Sequence, residues 1–313
     1  MRALLIPAVP ALSRADAVRH GLTLAGLVAL VAFVWTDSGI DVRAYWGFSP
    51  AHPYASATLG EIGAFLYSPA AALALLPLHA LPWTLARLVW IGLGLACLWW
   101  LGGRWALALV VAMPVAFELG AGNIHLLLAV AIVAGFRWPA AWAMVLLTKV
   151  TPGVGLLWFV VRREWRSLAI AIGATAAIAA VSYVSEPRWW PQWFGVLGSD
   201  AERYGQVATL FGLEVPIPSL PVRLVAAALL VAWGARTGRR WLVPVASMIA
   251  LPAVWRTSLS MLVAVIPLVD AGWTGRQGSR RSAMAAWMAR RASVSPVSSA
   301  TSPLLPHLPA DQP

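Results

Sequence analysis

The sequence predicts an all-α, polytopic integral membrane protein with about ten transmembrane helices. Of its 313 residues, 60% are hydrophobic and only 11% are charged, whereas soluble domains carry about 25% charged residues. Stretches of about 15 to 22 residues with few or no charges recur along most of the chain, as expected of helices that cross a bilayer. These apolar runs are continuous and lack a period of two, so helices are the expected spanning elements.

Ten spans are predicted from these apolar runs. In chain order they lie at about residues 20–36, 67–80, 86–101, 105–119, 122–136, 139–161, 167–184, 220–235, 241–254 and 257–273. Several are short for a bilayer, so tilted, re-entrant or fused segments remain alternatives. The first run follows Arg14 and Arg19 and has no small-residue cleavage site after it, so we interpret it as an uncleaved first helix.

The arginines indicate the orientation of these spans. With both termini in the cytoplasm, the inner segments hold most of the arginines, including the pairs Arg162-Arg163 and Arg239-Arg240. The outer segments hold most of the acids, among them Asp37, Asp41 and Glu61. Because positively charged loops are retained in the cytoplasm, we predict a multi-pass plasma-membrane protein with cytoplasmic N- and C-termini and an extracytoplasmic acidic loop.

The chain is predicted to consist of a transmembrane domain, residues 1–275, and a flexible basic tail, residues 276–313, rich in Arg, Ser and Pro. The transmembrane domain has a first outer loop at about 37–66 and a second at about 185–219. The second loop contains the segment Arg188-Trp-Trp-Pro-Gln-Trp193-Phe194. We predict that these tryptophans anchor the chain at the membrane interface, with a sugar-stacking platform as the alternative.

Composition and spacing argue against several classes of binding site. The net charge of +11 comes from short arginine clusters between apolar runs, without a basic stripe and interleaved aromatics, so no nucleic-acid partner is predicted. Cys97 is the only cysteine, which excludes an intrachain disulfide and indicates a small packed hydrophobe. Nothing resembles a nucleotide-binding glycine loop, and no cofactor is predicted.

Ionisable residues inside apolar runs are costly and are candidates for function. Lys149, the only lysine, lies well inside the longest run, and a compact ammonium there is either functional or an ion-pair partner of Glu118. Glu118 precedes a Gly-rich break that contains Asn123 and His125. These two side chains are candidates to bind substrate or to satisfy backbone groups at a helix start.

Asp37 and Asp41 stand directly after the first apolar run. They are four residues apart, so on a helix they would share a face, although Gly39 between them makes an irregular turn equally compatible. In either geometry one carboxylate can act as a base and the other can orient it; the alternative for Asp41 is a capping or solvated loop acid. No His or third acid stands at ligand spacing, so no metal is predicted.

A series of short motifs lies along the chain: Asp41-Val-Arg-Ala-Tyr45, His52-Pro-Tyr54, Phe65-Leu-Tyr67-Ser-Pro69 with Leu76-Pro-Leu78, Gly122-Asn123, Leu147-Thr-Lys149-Val-Thr-Pro152 with Arg162-Arg163-Glu-Trp165, and Leu251-Pro-Ala-Val-Trp255. In their order and spacing, the chain resembles glycosyltransferase family 87, the actinobacterial mannosyltransferases of GT-C type that use polyprenyl-phosphate mannose. The motifs extend over roughly residues 35 to 270. A histidine usually follows the late tryptophan in this family; here the chain reads Trp255-Arg256-Thr257-Ser258.

The resemblance implies a GT-C-like helical bundle with its active site in the first outer loop, outside the cytoplasm. The acid of the Asp-x-x-x-Tyr segment, which maps to Asp41, is implied to be the catalytic base. The other implied substrate-binding residues are Asp37, Tyr45, His52, Tyr54 and Tyr67 around the sugar, Arg43, Lys149 and Arg256 as candidates for the leaving phosphate, and Asn123, His125 and Trp255 from the later motifs.

The implied reaction is an inverting transfer of a hexose, mannose by resemblance, from a polyprenyl-phosphate donor to a lipid or glycan acceptor. The carboxylate would take the proton of the acceptor hydroxyl, and fixed positive charge would stabilise the leaving phosphate. The partners are thus the lipid-linked donor, the acceptor and the membrane lipids. Two alternatives remain: a flippase or transporter of lipid-linked sugars, and a non-catalytic family member that binds polyprenyl phosphate.

Overall fold

A computed structural model describes residues 13–35, 39–55, 63–199, 207–210 and 213–269. Asp37 and the C-terminal tail lie outside these described residues. The α-helices in chain order are α1 (Arg14–Trp35), α2 (Ile40–Gly47), α3 (Pro69–Leu75), α4 (Trp83–Gly102), α5 (Ala106–Leu109), α6 (Met113–Ala121), α7 (His125–Gly135), α8 (Trp142–Thr148), α9 (Leu157–Val161), α10 (Trp165–Ser185), α11 (Trp189–Ser199), α12 (Leu220–Thr237), α13 (Leu242–Ile249) and α14 (Val265–Val269). Five 3₁₀ segments extend or join them: Leu76–Ala80, Gly103–Trp105, Pro139–Ala141, Thr151–Leu156 and Arg256–Ala264.

The predicted helical character is confirmed, whereas the predicted count of about ten spans is not. Within the described ranges, four helical segments are long and apolar enough to cross a membrane: Arg14–Ala32, Trp83–Leu109, Trp165–Ser185 and Leu220–Thr237. The pair α6 and α7 passes the same test only as one span bent by 108°. The remaining apolar runs form shorter helices with breaks between them.

The predicted span 139–161 shows why the count differs. Its helix stops after Thr148, because Lys149 adopts an extended conformation with φ −133° and ψ 105°. Pro152 follows near the start of the 3₁₀ segment Thr151–Leu156, and proline has no N–H to continue an α-helix through this point. A run that hydropathy treats as continuous is therefore two short helical pieces.

A small three-stranded sheet lies outside the all-α prediction. Its strands are β1 (Val207–Leu210), β2 (Leu213–Pro216) and β3 (Val254–Trp255), in the order β2-β1-β3. β1 pairs with β2 antiparallel and with β3 parallel, with Thr209 opposite Trp255. The sheet connects the second predicted outer loop to the late Trp255 segment, a pairing too distant in sequence for a pattern of apolar residues to indicate.

The long helices expose apolar side chains, as a surface in contact with lipid requires. Leu24 of α1 is 64% exposed, Val184 of α10 is 81% exposed and Leu229 of α12 is 66% exposed. The core instead lies where α2, α4, α7 and α8 meet, around the buried residues Tyr45 and Trp142. Cys97 is buried and free, as predicted.

Gly122 allows α2 to pack directly against the bend between α6 and α7. It ends α6 with φ +73°, in the left-handed region, and an added Cβ would lie 2.0 Å from Val42 Cγ2 and 3.0 Å from Trp90 Cδ1. Replacement Gly122→Ala is therefore expected to lower the free energy of unfolding by about 1–3 kcal/mol and to displace α2. Thermal unfolding in detergent measures this loss.

Gly92 provides the matched control for this substitution. It lies inside α4, and an added Cβ there would meet no heavy atom within 4 Å. Gly92→Ala should therefore leave stability unchanged or raise it by about 0.5–1 kcal/mol. Equal melting temperatures for the two alanine variants would contradict the close approach of α2 to Gly122.

Candidate active site

The carboxylate of Asp41 lies in the first turn of α2, against the Gly-rich break between α6 and α7. The side-chain amide of Asn123 donates a hydrogen bond to Asp41 Oδ2 at 2.9 Å. Asn123 Oδ1 accepts the backbone N–H of Ile124 at 2.7 Å, which determines which end of the amide faces the acid. Asn123 thus satisfies a backbone group and contacts the candidate base at the same time. As a whole residue, Asp41 is partly buried.

Burial raises the pKa of the Asp41 carboxyl to about 6, above its ordinary value. The hydrogen bond from Asn123 opposes this rise, the negative charge of Glu118 adds to it, and the positive charge of Lys149 opposes it. Desolvation therefore outweighs the groups that stabilise the ionised form. A carboxyl group with a pKa of this size is ionised at neutral pH and is a stronger base than a fully solvated carboxylate.

Three ionisable side chains form a row beside Asp41, the Glu118–His125–Lys149 row. His125 Nδ1 lies 3.1 Å from Glu118 Oε2, and Lys149 Nζ lies 2.9 Å from His125 Nε2. An ammonium group can only donate, so His125 Nε2 is the acceptor and the Nδ1–H donates to Glu118. Glu118 and His125 are buried and Lys149 is partly buried. Lys149 and Glu118, considered above as an ion pair, are thus bridged by the His125 imidazole, which contacts both side chains.

The helix break after Thr148 positions Lys149 at the end of this row. The Ser68 hydroxyl, which also caps α3, donates to the Leu147 carbonyl at 2.5 Å, and the Thr148 hydroxyl donates to the Met144 carbonyl at 2.6 Å. These bonds satisfy carbonyl groups near the end of α8. The ammonium group of Lys149 therefore projects from the end of helix α8, where backbone carbonyl groups accept these hydrogen bonds.

The late segment reaches the same row. The Ser258 hydroxyl lies 3.4 Å from His125 Nε2, and its oxygen accepts the Trp255 backbone N–H at 3.1 Å. The Arg256 guanidinium lies over the Phe117 ring, 3.9 Å from its centroid. Trp255 and Arg256 are thus held beside α6 and α7, close to the predicted site.

A buried arginine that the sequence did not single out holds this late segment in place. The Arg223 guanidinium, from α12, donates to one backbone carbonyl before α12 and to three in the segment that leads from the end of α13 into β3. The acceptors are Pro218 at 3.0 Å, Ile249 at 3.1 Å, Leu251 at 2.6 Å and Pro252 at 3.1 Å. Burying an arginine against carbonyls satisfies both the charge and the free C=O groups that follow α13.

The three tyrosines predicted around the sugar form a connected, buried group. The hydroxyls of Tyr45 and Tyr67 lie 3.0 Å apart, and the Tyr54 hydroxyl donates to the Tyr67 carbonyl at 2.8 Å. The Tyr45 ring also packs on Trp90, 4.8 Å between centroids. Each of the three hydroxyls thus has a partner within the protein. The group lies beside Asp41.

Two other predicted residues lie away from the row. Arg43 is two positions along α2 from Asp41, so the two side chains do not share a face; its guanidinium lies over the Trp83 ring at 4.4 Å. His52 is exposed and lines a cleft with α11.

The Trp-rich segment forms α11, and part of it is core. Trp189 and Trp193 are buried, and the Trp193 indole N–H donates to the Leu66 carbonyl at 3.2 Å. Neither side chain is available as the membrane anchor or sugar platform considered from sequence. Phe194, in contrast, is 59% exposed. The buried indoles fix α11 against the segment that leads to Tyr67.

Sequence reasoning did not select Glu118, Ser258 or Arg223 as site residues. Glu118 was considered only as an ion-pair partner of Lys149, because it is an acid inside an apolar run. Ser258 and Arg223 carried no local signal, because their partners are far away in sequence. Within the described ranges, no three His, Cys, Asp or Glu side chains are grouped so that they could hold a metal ion.

Comparisons with known proteins agree with the arrangement of these motifs. The sequence model of glycosyltransferase family 87 matches residues 65–295, most of the chain, beginning after α2 and Asp41. A polyprenol-phosphate-mannose-dependent alpha-(1-2)-phosphatidylinositol pentamannoside mannosyltransferase from Mycolicibacterium smegmatis is 28% identical over 244 residues. That alignment covers 66% of this chain and 58% of the relative, so the chain spans little more than half of that protein. No solved structure matches the chain.

Proposed function

Because this chain belongs to glycosyltransferase family 87, we propose that it is a membrane-embedded, inverting glycosyltransferase. It transfers a hexose, mannose by similarity to its relative, from a polyprenyl-phosphate donor to a hydroxyl of a lipid or glycan acceptor. The observation that carries this proposal is the contact between Asp41 and Asn123 beside the Lys149 ammonium. It combines a base and a fixed cation, the two groups that this transfer needs.

In this proposal Asp41 is the general base. Its ionised carboxylate takes the proton from the acceptor hydroxyl as that oxygen attacks the anomeric carbon of the donor. The C–O bond to phosphate breaks on the opposite face of the sugar, so the configuration inverts. The hydrogen bond from Asn123 holds the carboxylate in one orientation during this step.

Lys149 is proposed to stabilise the leaving polyprenyl phosphate. One N–H of its ammonium is directed to His125 Nε2, and the other two can donate to phosphate oxygens. Because Glu118 and His125 already hold the ammonium group, little reorganisation is needed when charge develops on the phosphate. Arg256, over the Phe117 ring, is the second cation near enough to α6 to serve the same phosphate.

The proposed topology places this site outside the cytoplasm. Its support is the distribution of charge: most arginines fall in the segments assigned to the inside and most acids in those assigned to the outside. A polyprenyl donor keeps its tail in the bilayer and its sugar at the surface. Labelling of single-cysteine variants by a membrane-impermeant reagent tests whether residues 39–55 face the outside.

The decisive experiment measures product formation. Protein purified in detergent is incubated with radiolabelled polyprenyl-phosphate mannose and a membrane-lipid extract, and a new labelled glycan or glycolipid is expected. Transfer of label across vesicles without cleavage of the donor would instead identify a flippase. Binding of the donor without turnover would identify a non-catalytic member of the family.

The shifted pKa of Asp41 predicts the pH dependence of this activity. With a pKa of about 6, kcat/KM should rise as pH increases from 5 to 7 and then level off, because only the ionised carboxylate accepts a proton. A base with an ordinary aspartate pKa would give a flat profile over this interval. A flat profile between pH 5 and 7 would therefore contradict the burial of the base.

Protein stability should follow the opposite trend. The folded state holds the Asp41 proton more tightly than the unfolded chain does, so between the ordinary aspartate pKa and about 6 the folded state binds more protons. The contribution of this group to the free energy of unfolding therefore falls as pH rises through that interval. Asp41→Asn, which cannot ionise, should lack this component.

A further inference from the structure

A cleft separate from the Glu118–His125–Lys149 row lies between the first predicted outer loop and α11. Its volume is about 310 Å³, and its lining residues are His52, Tyr54, Ala55, Gln192, Gly195 and Val196. This size lies at the lower end of the range of ligand pockets. It suits one ring of a larger ligand better than a whole lipid or an oligosaccharide.

The walls of the cleft are held in place, while its polar groups are available. Trp193 anchors α11 to the Leu66 carbonyl, and Tyr54 is anchored through its hydroxyl to the Tyr67 carbonyl. The side chains of His52 and Gln192 are exposed and, among the described residues, have no side-chain hydrogen-bond partner. An imidazole and an amide together offer both donors and acceptors, as recognition of sugar hydroxyls requires.

The cleft is connected to the candidate base by the tyrosine group. Tyr54 in the cleft bonds to Tyr67, and Tyr67 contacts Tyr45. Tyr45 lies four residues after Asp41 on α2, on the same helix face. The Tyr45–Tyr67 pair therefore lies between the cleft and Asp41.

On the basis of the proposed function, we propose that this cleft binds a sugar residue of an oligosaccharide acceptor, beyond the residue that carries the reacting hydroxyl. The donor phosphate requires positive charge, and the ordinary partner for a lipid tail is an apolar surface; the cleft offers instead an imidazole, an amide and an aromatic ring. Its role is to select longer glycan acceptors over single sugars.

Gly195 permits a direct test, because it lines the cleft and has open space at its Cα for a side chain. A Cβ at Gly195 would meet no heavy atom within 4 Å. Gly173 in α10 has the same property and is exposed, but it is not part of the cleft. Gly195→Leu is therefore the test variant and Gly173→Leu its matched control, with the same change of residue in an exposed helical position.

The experiment compares two synthetic acceptors, octyl α-mannoside and an octyl α-mannotrioside, with radiolabelled polyprenyl-phosphate mannose as the donor. A subsite with one or two added hydrogen bonds should give the trioside a KM about tenfold below that of the monosaccharide. In Gly195→Leu the ratio of the two KM values should fall to about one, and in Gly173→Leu it should equal the wild-type ratio. A wild-type ratio of one, or an unchanged ratio in Gly195→Leu, would overturn the inference.

Binding measurements separate this inference from the proposed activity. Saturation-transfer NMR with free mannotriose and mannose requires no turnover, and the trisaccharide should give the stronger signal with the wild-type protein and Gly173→Leu only. If that signal appears without any labelled transfer product, oligosaccharide binding by the cleft stands and the transferase proposal fails. If transfer occurs without preferential binding of the trisaccharide, the cleft inference fails and the transferase proposal stands.

Discussion

Asp41→Asn is expected to lower the rate of sugar transfer by about 10²–10⁴-fold, the usual contribution of a general base. The amide has nearly the shape of the carboxylate, and its oxygen can still accept the hydrogen bond that Asn123 now donates to Asp41 Oδ2. The geometry of the site should therefore persist while the ability to take a proton is lost. The loss should appear in kcat, with the KM for the donor changed little.

Melting temperature and a control acid make this result interpretable. Asp41→Asn replaces a desolvated carboxyl group by a neutral amide, so the variant should melt at the wild-type temperature or above it. Glu164 is an exposed acid bonded to Arg162 at 2.7 Å, and Glu164→Gln should keep full activity. Normal transfer by a folded Asp41→Asn protein would eliminate Asp41 as the base.

Lys149→Met is expected to reduce transfer by about 10²–10³-fold, because the leaving phosphate loses a fixed cation. The substitution also removes the positive charge that balances the Glu118 carboxylate across His125 in the Glu118–His125–Lys149 row. Removing one partner from a buried charge network destabilises the fold, here by up to about 3 kcal/mol, since Lys149 is only partly buried. Activity measured on this variant alone would therefore combine two effects.

A double substitution separates catalysis from folding. Glu118→Gln/Lys149→Met removes both charges, so the melting temperature should recover most of the loss caused by Lys149→Met. Transfer should remain as low as in the single variant, since the phosphate still lacks its cation. Recovery of activity together with stability would show that Lys149 only stabilises the fold.

Lys149→Arg tests the requirement for an ammonium group in particular. Arginine keeps the charge, but its planar guanidinium is larger and cannot take the place of a compact ammonium between His125 Nε2 and the space beside Asp41. We expect partial recovery of stability and little recovery of transfer. Together these variants show whether the Glu118–His125–Lys149 row binds the leaving phosphate or only stabilises the fold.

Hydropathy alone locates most of the helices. The run that becomes α10 was predicted at 167–184 and is Trp165–Ser185, and the run predicted at 220–235 is Leu220–Thr237. These helices can be read from sequence because each residue contributes its own transfer free energy to lipid, and the contributions add along the chain. Breaks within a run are harder to predict: the run at 139–161 has a single charged residue, Lys149, yet it is not one helix.

The site required contacts between distant residues. Asn123 and Asp41 are 82 positions apart, and Ser258 and His125 are 133 positions apart. Sequence pointed to Lys149 through its position inside an apolar run, to Asn123 and His125 through the Gly-rich break after Glu118, and to Asp41 through the acidic segment after the first run and the family resemblance. It did not indicate that the His125 imidazole lies between Glu118 and Lys149 and contacts both. Nor did it indicate that burial raises the pKa of Asp41 more than the nearby Lys149 ammonium lowers it.

From its amino acids alone, this chain could be assigned to membrane helices, to a family and to a short set of ionisable residues, because hydropathy and motifs are local properties of the chain. The folded structure alone decided which of those residues touch, which tyrosines are buried, and that a sheet connects Thr209 to Trp255. These features depend on packing between segments far apart along the chain, where steric fit and desolvation act between partners that no local pattern specifies.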